Sequence, residues 1–165
     1  MTAQLQTHVA NNVCSAAGVR SAAGVTTGMA QGTQVLTADG MLPVDYLAPG
    51  DRIITREGVR VLVDVAVHVM VGDVIRVSAS SQGHARPEED VILGCDQALL
   101  IRDWRAKALY GAAQAMVPVA RMVDGELIRR ERVAGLRMYV LEFASPQVVY
   151  AGGLELACDA VTVTV

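Results

Sequence analysis

The chain has 165 residues, of which 52% are hydrophobic and only 4% aromatic, with a formal net charge of −3. A single domain of this length buries roughly 70% of the surface its unfolded chain exposes, and the slightly acidic balance argues against a general nucleic-acid surface. No apolar run approaches the roughly 18 residues needed to span a bilayer, so membrane insertion is not expected. The opening "MTAQLQTHVANNV" has neither a basic leader nor an apolar core of the secretory kind. Three widely spaced cysteines, Cys14, Cys95 and Cys158, suggest no disulfide framework. The expected setting is therefore reducing and cytoplasmic, with a larger assembly or non-classical export left open.

In chain order, residues 1–27 are rich in Ala, Ser, Thr, Gly, Asn and Gln, and "SAAGVR" is followed directly by "SAAGVT". This stretch has little to bury and reads as a flexible or partner-ordered arm. The texture changes near Gly28, and residues 28–165 read as one β domain. The runs "TQVLT", "DRIITR", "VRVLVDVAVHVMV", "DVIRVSA", "DVIL", "ALLIRD", "RMYVLEF", "QVVYAG" and "AVTVTV" are mostly short, β-branched and often alternating. Turn signals such as "ADG", "APGD", "REG", "VGD" and "VDGE" separate them. The pattern predicts an all-β fold of many short strands, with at most one short helix, over 103–115. "DGELIRRERVAGLRMYV" reads as two strands around a turn at Gly135. "VRVLVDVAVHVMV" is apolar enough for a strand buried on both faces, or for a sheet edge covered by another subunit.

Several residues invite a chemical reading and fail to converge. His8, His68 and His84 lie far apart, so no metal site is expected, and no cofactor motif is present. Arg129, Arg130 and Arg132 enclose Glu131, which suits a solvated strand edge better than a phosphate site. Trp104, the only tryptophan, is expected to anchor packing. Asp96, Glu142 and Asp159 are scattered carboxylates, and a small-molecule enzyme would need two of them to meet in a deep pocket. The break "GCDQ", Gly94 to Gln97, places a thiol, a carboxylate and an amide between two apolar runs, where a catalytic loop would sit.

Four ordered blocks carry a family resemblance. "GTQVLTADGMLPVDYLAPGDRIITREG" (32–58), "RPEEDVILGCDQALLI", "LYGAAQAMVPVARMVDGELIRRE" (109–131) and "YVLEFASPQVVYAGGLELA" (139–157) together resemble a Hint domain of the bacterial branch, the Hedgehog/intein self-processing family. The resemblance implies a compact β horseshoe. It also implies a Cys or Ser nucleophile at the position of Gly28, a Thr/Ser-x-x-His block spanning Gly94 to Gln97, and a later His at the position of Pro146. Glycine offers no nucleophile, and a glutamine amide does not titrate near neutral pH. Intein-type asparagine cyclisation has no counterpart, since the only asparagines are Asn11 and Asn12.

The resemblance therefore points to a degenerate, non-catalytic domain that acts as a structural or protein-interaction module, with a protein partner or a second copy of itself. Gln97 is expected to hydrogen-bond the backbone where His would stand, Asp96 to cap backbone amides, and Cys95 to be a half-buried, inert thiol. The alternative is cryptic self-cleavage by a displaced nucleophile such as Thr26, Thr27 or Cys95. Rebuilding the family residues with Gly28→Cys, Gly94→Thr, Cys95→Pro and Gln97→His is expected to give slow, thiol-dependent scission after Thr27.

Overall fold

The computed structural model describes residues 25–79 and 89–161. Most of the expected arm, together with Cys14, His8, His84, Asn11 and Asn12, lies outside the described residues. Among those described, one α-helix and two 3-10 turns accompany twelve strands.

The first half alternates short strands with tight turns. They are β1 (Met29–Ala30), β2 (Gln34–Thr37), β3 (Gly40–Pro43), β4 (Arg52–Thr55) and β5 (Gly58–Val61). Two of the hairpins use one device. In "TADG" the Thr37 hydroxyl donates to the Gly40 carbonyl at 2.7 Å and accepts the Asp39 amide at 3.1 Å. In "TREG" Thr55 does the same with Gly58 at 2.7 Å and Glu57 at 3.2 Å. Each turn closes on a glycine with positive φ, +107° at Gly40 and +96° at Gly58, a region that side chains avoid. The two threonines are buried, and these bonds to the turn backbone satisfy their hydroxyls.

Then follow β6 (Asp64–Val77), β7 (Val91–Gly94), β8 (Ala98–Ile101), α1 (Trp104–Tyr110), β9 (Ala115–Pro118), β10 (Ile128–Glu142), β11 (Gln147–Ala151) and β12 (Leu154–Cys158). Strands β6 and β10 are long antiparallel partners, running from Asp64 opposite Glu142 to Val77 opposite Ile128. The turn expected at Gly135 is instead a bulge inside β10, where the register shifts between Ala134 and Leu136. β1, β10, β6 and β7 close into a small barrel. The other eight strands form a sheet in the order β3-β2-β4-β11-β12-β8-β9, with β5 on the outer side of β4.

The main core draws on both sheets and is aliphatic, as the composition implies, with Ile53, Ile75, Leu93, Leu99, Leu141 and Leu156 fully buried. The sole phenylalanine, Phe143, is buried among them, and its truncation to alanine would cost about 3–5 kcal/mol. The apolar run 59–71 is not buried throughout. Leu62 is buried, but Val59, Val61, Val63, Val69 and Val71 face solvent. Helix α1 covers only part of the expected 103–115. Asp103 caps it by accepting the Arg105 amide at 2.9 Å, and Gly111 ends it at φ +68°. Trp104, expected to anchor packing, is instead 75% exposed, while Ala106 is the residue this helix buries. Two arginines of the run on β10 face carboxylates. Arg130 lies 3.5 Å from Asp73 and Arg129 lies 3.7 Å from Glu131.

Candidate functional site

β7 carries the chain to Gly94, its last residue, so the break before β8 is Cys95, Asp96 and Gln97. Residues 26–28 lie directly on this loop. The Gly94 amide donates to the Gly28 carbonyl at 3.0 Å, and the Asp96 amide donates to the Thr26 carbonyl at 2.9 Å. The Gln97 side chain completes the set. Its Oε1 accepts the Gly28 amide at 3.0 Å, while Nε2 donates to the Ala157 carbonyl at 2.8 Å and the Ala98 carbonyl at 3.1 Å. One buried carboxamide thus ties together the start of β1, the start of β8 and the end of β12.

Two glycines are required by this arrangement. A Cβ on Gly94 would stand 2.3 Å from the Thr26 carbonyl oxygen and 2.8 Å from the Thr27 carbonyl carbon. A Cβ on Gly28 would stand 2.7 Å from the Tyr139 carbonyl oxygen, and Gly28 also has φ +105°. Any larger residue at either place must displace backbone. Next to this contact lies a cavity of about 120 Å³, lined in part by Thr27, Gly28, Gln97, Tyr139 and Cys158. Ligand pockets are typically about 300–1,000 Å³, so this one suits a few waters rather than a metabolite.

Of the residues singled out in the sequence, Thr26, Thr27, Gly28, Gly94, Asp96 and Gln97 come together here. Gln97 bonds the backbone as expected. Among the described residues Asp96 caps no backbone amide; its carboxylate accepts the Thr26 hydroxyl. Cys95 does not line the cavity. Its thiol donates to the Asp73 carbonyl at 3.3 Å, with the Arg130 guanidinium 3.6 Å away, and burial raises its pKa. Pro146 is exposed in the turn between β10 and β11 and is not part of the cavity lining. Asp96 and Asp159 both line the cavity, each exposed to solvent, and Glu142 is not part of the lining.

Cys158 and Tyr139 are the residues sequence reasoning missed. The Cys158 thiol is pushed up to about 12, first by burial and then by the neighbouring Asp159 charge. It is a protonated thiol at any physiological pH. Only the spacing of β12, with every second residue buried, hints that Cys158 points inward.

A family model described as "Hint domain" matches residues 27–158, beginning one residue before Gly28. The chain belongs to the Hint family. Solved Hint-type structures agree with its fold. A bacterial intein-like domain from Clostridium thermocellum superposes with a TM-score of 0.60 at 14% identity, covering 80% of this chain and 97% of that one. The gp41-1 intein gives 0.53 at 11% identity, covering 79% and 97%. The MchDnaB-1 intein (N145AA) gives 0.51 at 16% identity, covering 81% and 99%. At these identities the likeness establishes the all-β fold alone. No curated protein matches the sequence. Among the described residues of this Hint domain, no helix is long and apolar enough to cross a membrane.

Proposed function

We propose that this Hint domain is non-catalytic and holds the chain upstream of Gly28 uncut, serving as a structural or protein-interaction module in a reducing, cytoplasmic setting. The observation that carries this reading is the Gly28–Gln97 hydrogen bond of 3.0 Å. The family resemblance puts the nucleophile and the histidine at these positions. Here residue 28 has no side chain to attack with, and its amide is held by a group that exchanges no proton near neutral pH. Gly94 supports the same reading, because the upstream backbone fills the space a Thr or Ser side chain there would take. The exposed Trp104, Leu109 and Val71 supply apolar area for a protein partner or a second copy.

Intact-mass spectrometry on the full chain behind an N-terminal fusion tests the first half of this proposal. The mass is expected to stay unchanged through long incubation with thiol or hydroxylamine. A fragment ending at Thr27 would overturn it. Light scattering over a concentration series, with pull-down of partners, tests the second half; a chain that stays monomeric throughout and recovers no partner counts against an interaction role.

Cryptic self-cleavage is the second reading. Its one supporting observation is that Thr27 lines the cavity beside Gly28. Cys95, turned toward Asp73, is the poorer nucleophile on geometry. Comparing Thr27→Ala with Cys95→Ala in the mass experiment separates the two.

A further inference from the structure

His68 lies in mid-strand on β6, 2% exposed, and its Nε2 has no hydrogen-bond partner among the described residues. Burial lowers its pKa, so the ring is neutral and Nε2 can offer a lone pair. Directly across the ladder stands Met138, and Met70 is two residues along the same strand on the same face. Met70 and Met138 belong to a small apolar cluster with Ala30 and Val74, separate from the main core. Opposed residues in such a ladder have Cβ atoms about 4.5–5.5 Å apart, and diagonal ones about 7–8 Å. Thioether side chains turn about three bonds, so two sulfurs and one imidazole nitrogen can converge from these positions.

We propose that His68, Met70 and Met138 form a binding site for a soft monovalent cation, Cu(I), held by one imidazole nitrogen and two thioether sulfurs. The ligand chemistry selects the ion. Thioethers favour Cu(I) over the harder divalent metals. All three donors are neutral, so a divalent ion would carry an uncompensated double charge into an apolar interior, whereas a monovalent one carries half of it. Zinc lacks its usual set, since no group of three His, Cys, Asp or Glu converges among the described residues. Met70, 8% exposed against 2% for His68 and 0% for Met138, is the donor nearest to solvent and marks the way in.

Ag(I) is the redox-inert probe. The full chain, with Cys14→Ser, Cys95→Ser and Cys158→Ala removing competing thiols and its methionine methyl groups labelled with carbon-13, is titrated with Ag(I). One equivalent is expected to bind. Of the seven methionine methyl resonances, those of Met70 and Met138 should shift most. His68→Leu, Met70→Leu and Met138→Leu should each weaken binding by more than about tenfold, since losing even an outer-shell partner of a metal costs 10–100-fold. Shifts centred on other methionines, or affinity unchanged by His68→Leu, would overturn the site. If the cysteine-free chain fails to fold, the native chain decides. There His68→Leu must remove one bound equivalent of Ag(I), and an unchanged stoichiometry sinks the proposal.

Discussion

Gly28 and Gln97 stand 69 positions apart in the chain, and the Gln97 carboxamide oxygen accepts the Gly28 amide at 3.0 Å in a buried contact. The same side chain donates to Ala157 at 2.8 Å. Its removal therefore strands a donor and an acceptor at once. Gln97→Ala is expected to destabilise the domain by about 2–6 kcal/mol in urea unfolding, at about 1–3 kcal/mol per buried group left unpaired. Hydrogen exchange at the Gly28 amide should accelerate by more than the global loss explains. Gln97→Glu keeps the acceptor for Gly28 but turns an oxygen on Ala157, so it should not restore full stability.

Gly94→Thr is expected to dislodge residues 26–28 rather than restore a catalytic hydroxyl, because its Cβ would overlap the Thr26 carbonyl. Limited proteolysis should cut this segment in the variant and spare it in the wild type. The rebuilt variant, Gly28→Cys, Gly94→Thr, Cys95→Pro and Gln97→His, carries a second overlap at Tyr139. The geometry reverses the sequence-based expectation for it: intact mass should show no scission after Thr27, since proximity helps only when the attacking atom is held in line.

The Cys158 thiol, raised to about 12 by burial, makes stability depend on alkaline pH. Unfolded, a thiol ionises near pH 8.5. Between that value and about 12 the native state keeps a proton that the unfolded state has lost. Stability is thus full below the unfolded pKa and falls as pH rises, with a slope of about 1.4 kcal/mol per pH unit at most. Cys158→Ala should flatten this limb by one proton. Alkylation should reach the half-buried Cys95 well before Cys158 in the native protein.

His68 acts at the other end of the scale. Its lowered pKa means that below about 6.5 the unfolded chain binds a proton that the native chain refuses. The contribution is present above the unfolded pKa and lost as pH falls. His68→Leu should flatten the acid limb. Because leucine leaves no orphaned ring nitrogen, the variant should also gain about 1–3 kcal/mol near neutral pH in the absence of metal. Urea midpoints measured from pH 5 to 8 would check both.

The strands and tight turns were legible because their signals are local. Thr37 and Gly40 announce their hairpin within four residues, as do Thr55 and Gly58. The length of β6 and β10 was not, because Gly72 and Gly135 read as turns when Gly72 is a paired residue of β6 with positive φ and Gly135 a bulge in β10. Pairing between residues far apart decides that, and no local pattern encodes it. Trp104 misled for a related reason: a helix of seven residues offers the core one narrow face, and Ala106 occupies it. The meeting of Gly28 with Gln97 was legible only through family resemblance. Cys158 and Tyr139 reach the site by way of β12 and β10, whose neighbours are set by the whole topology.

The place of β1 in the barrel has a consequence for synthesis. Met29 pairs with Leu93 on one side and Tyr139 on the other. The ribosome makes β1 before either partner, and Tyr139 emerges long after Met29. Domains form their contacts as units once their pieces are available. The segment at Thr26 to Gly28 therefore stays accessible to proteases and chaperones until the Tyr139 stretch of β10 has emerged, so its protection in a nascent chain marks the moment the barrel shuts.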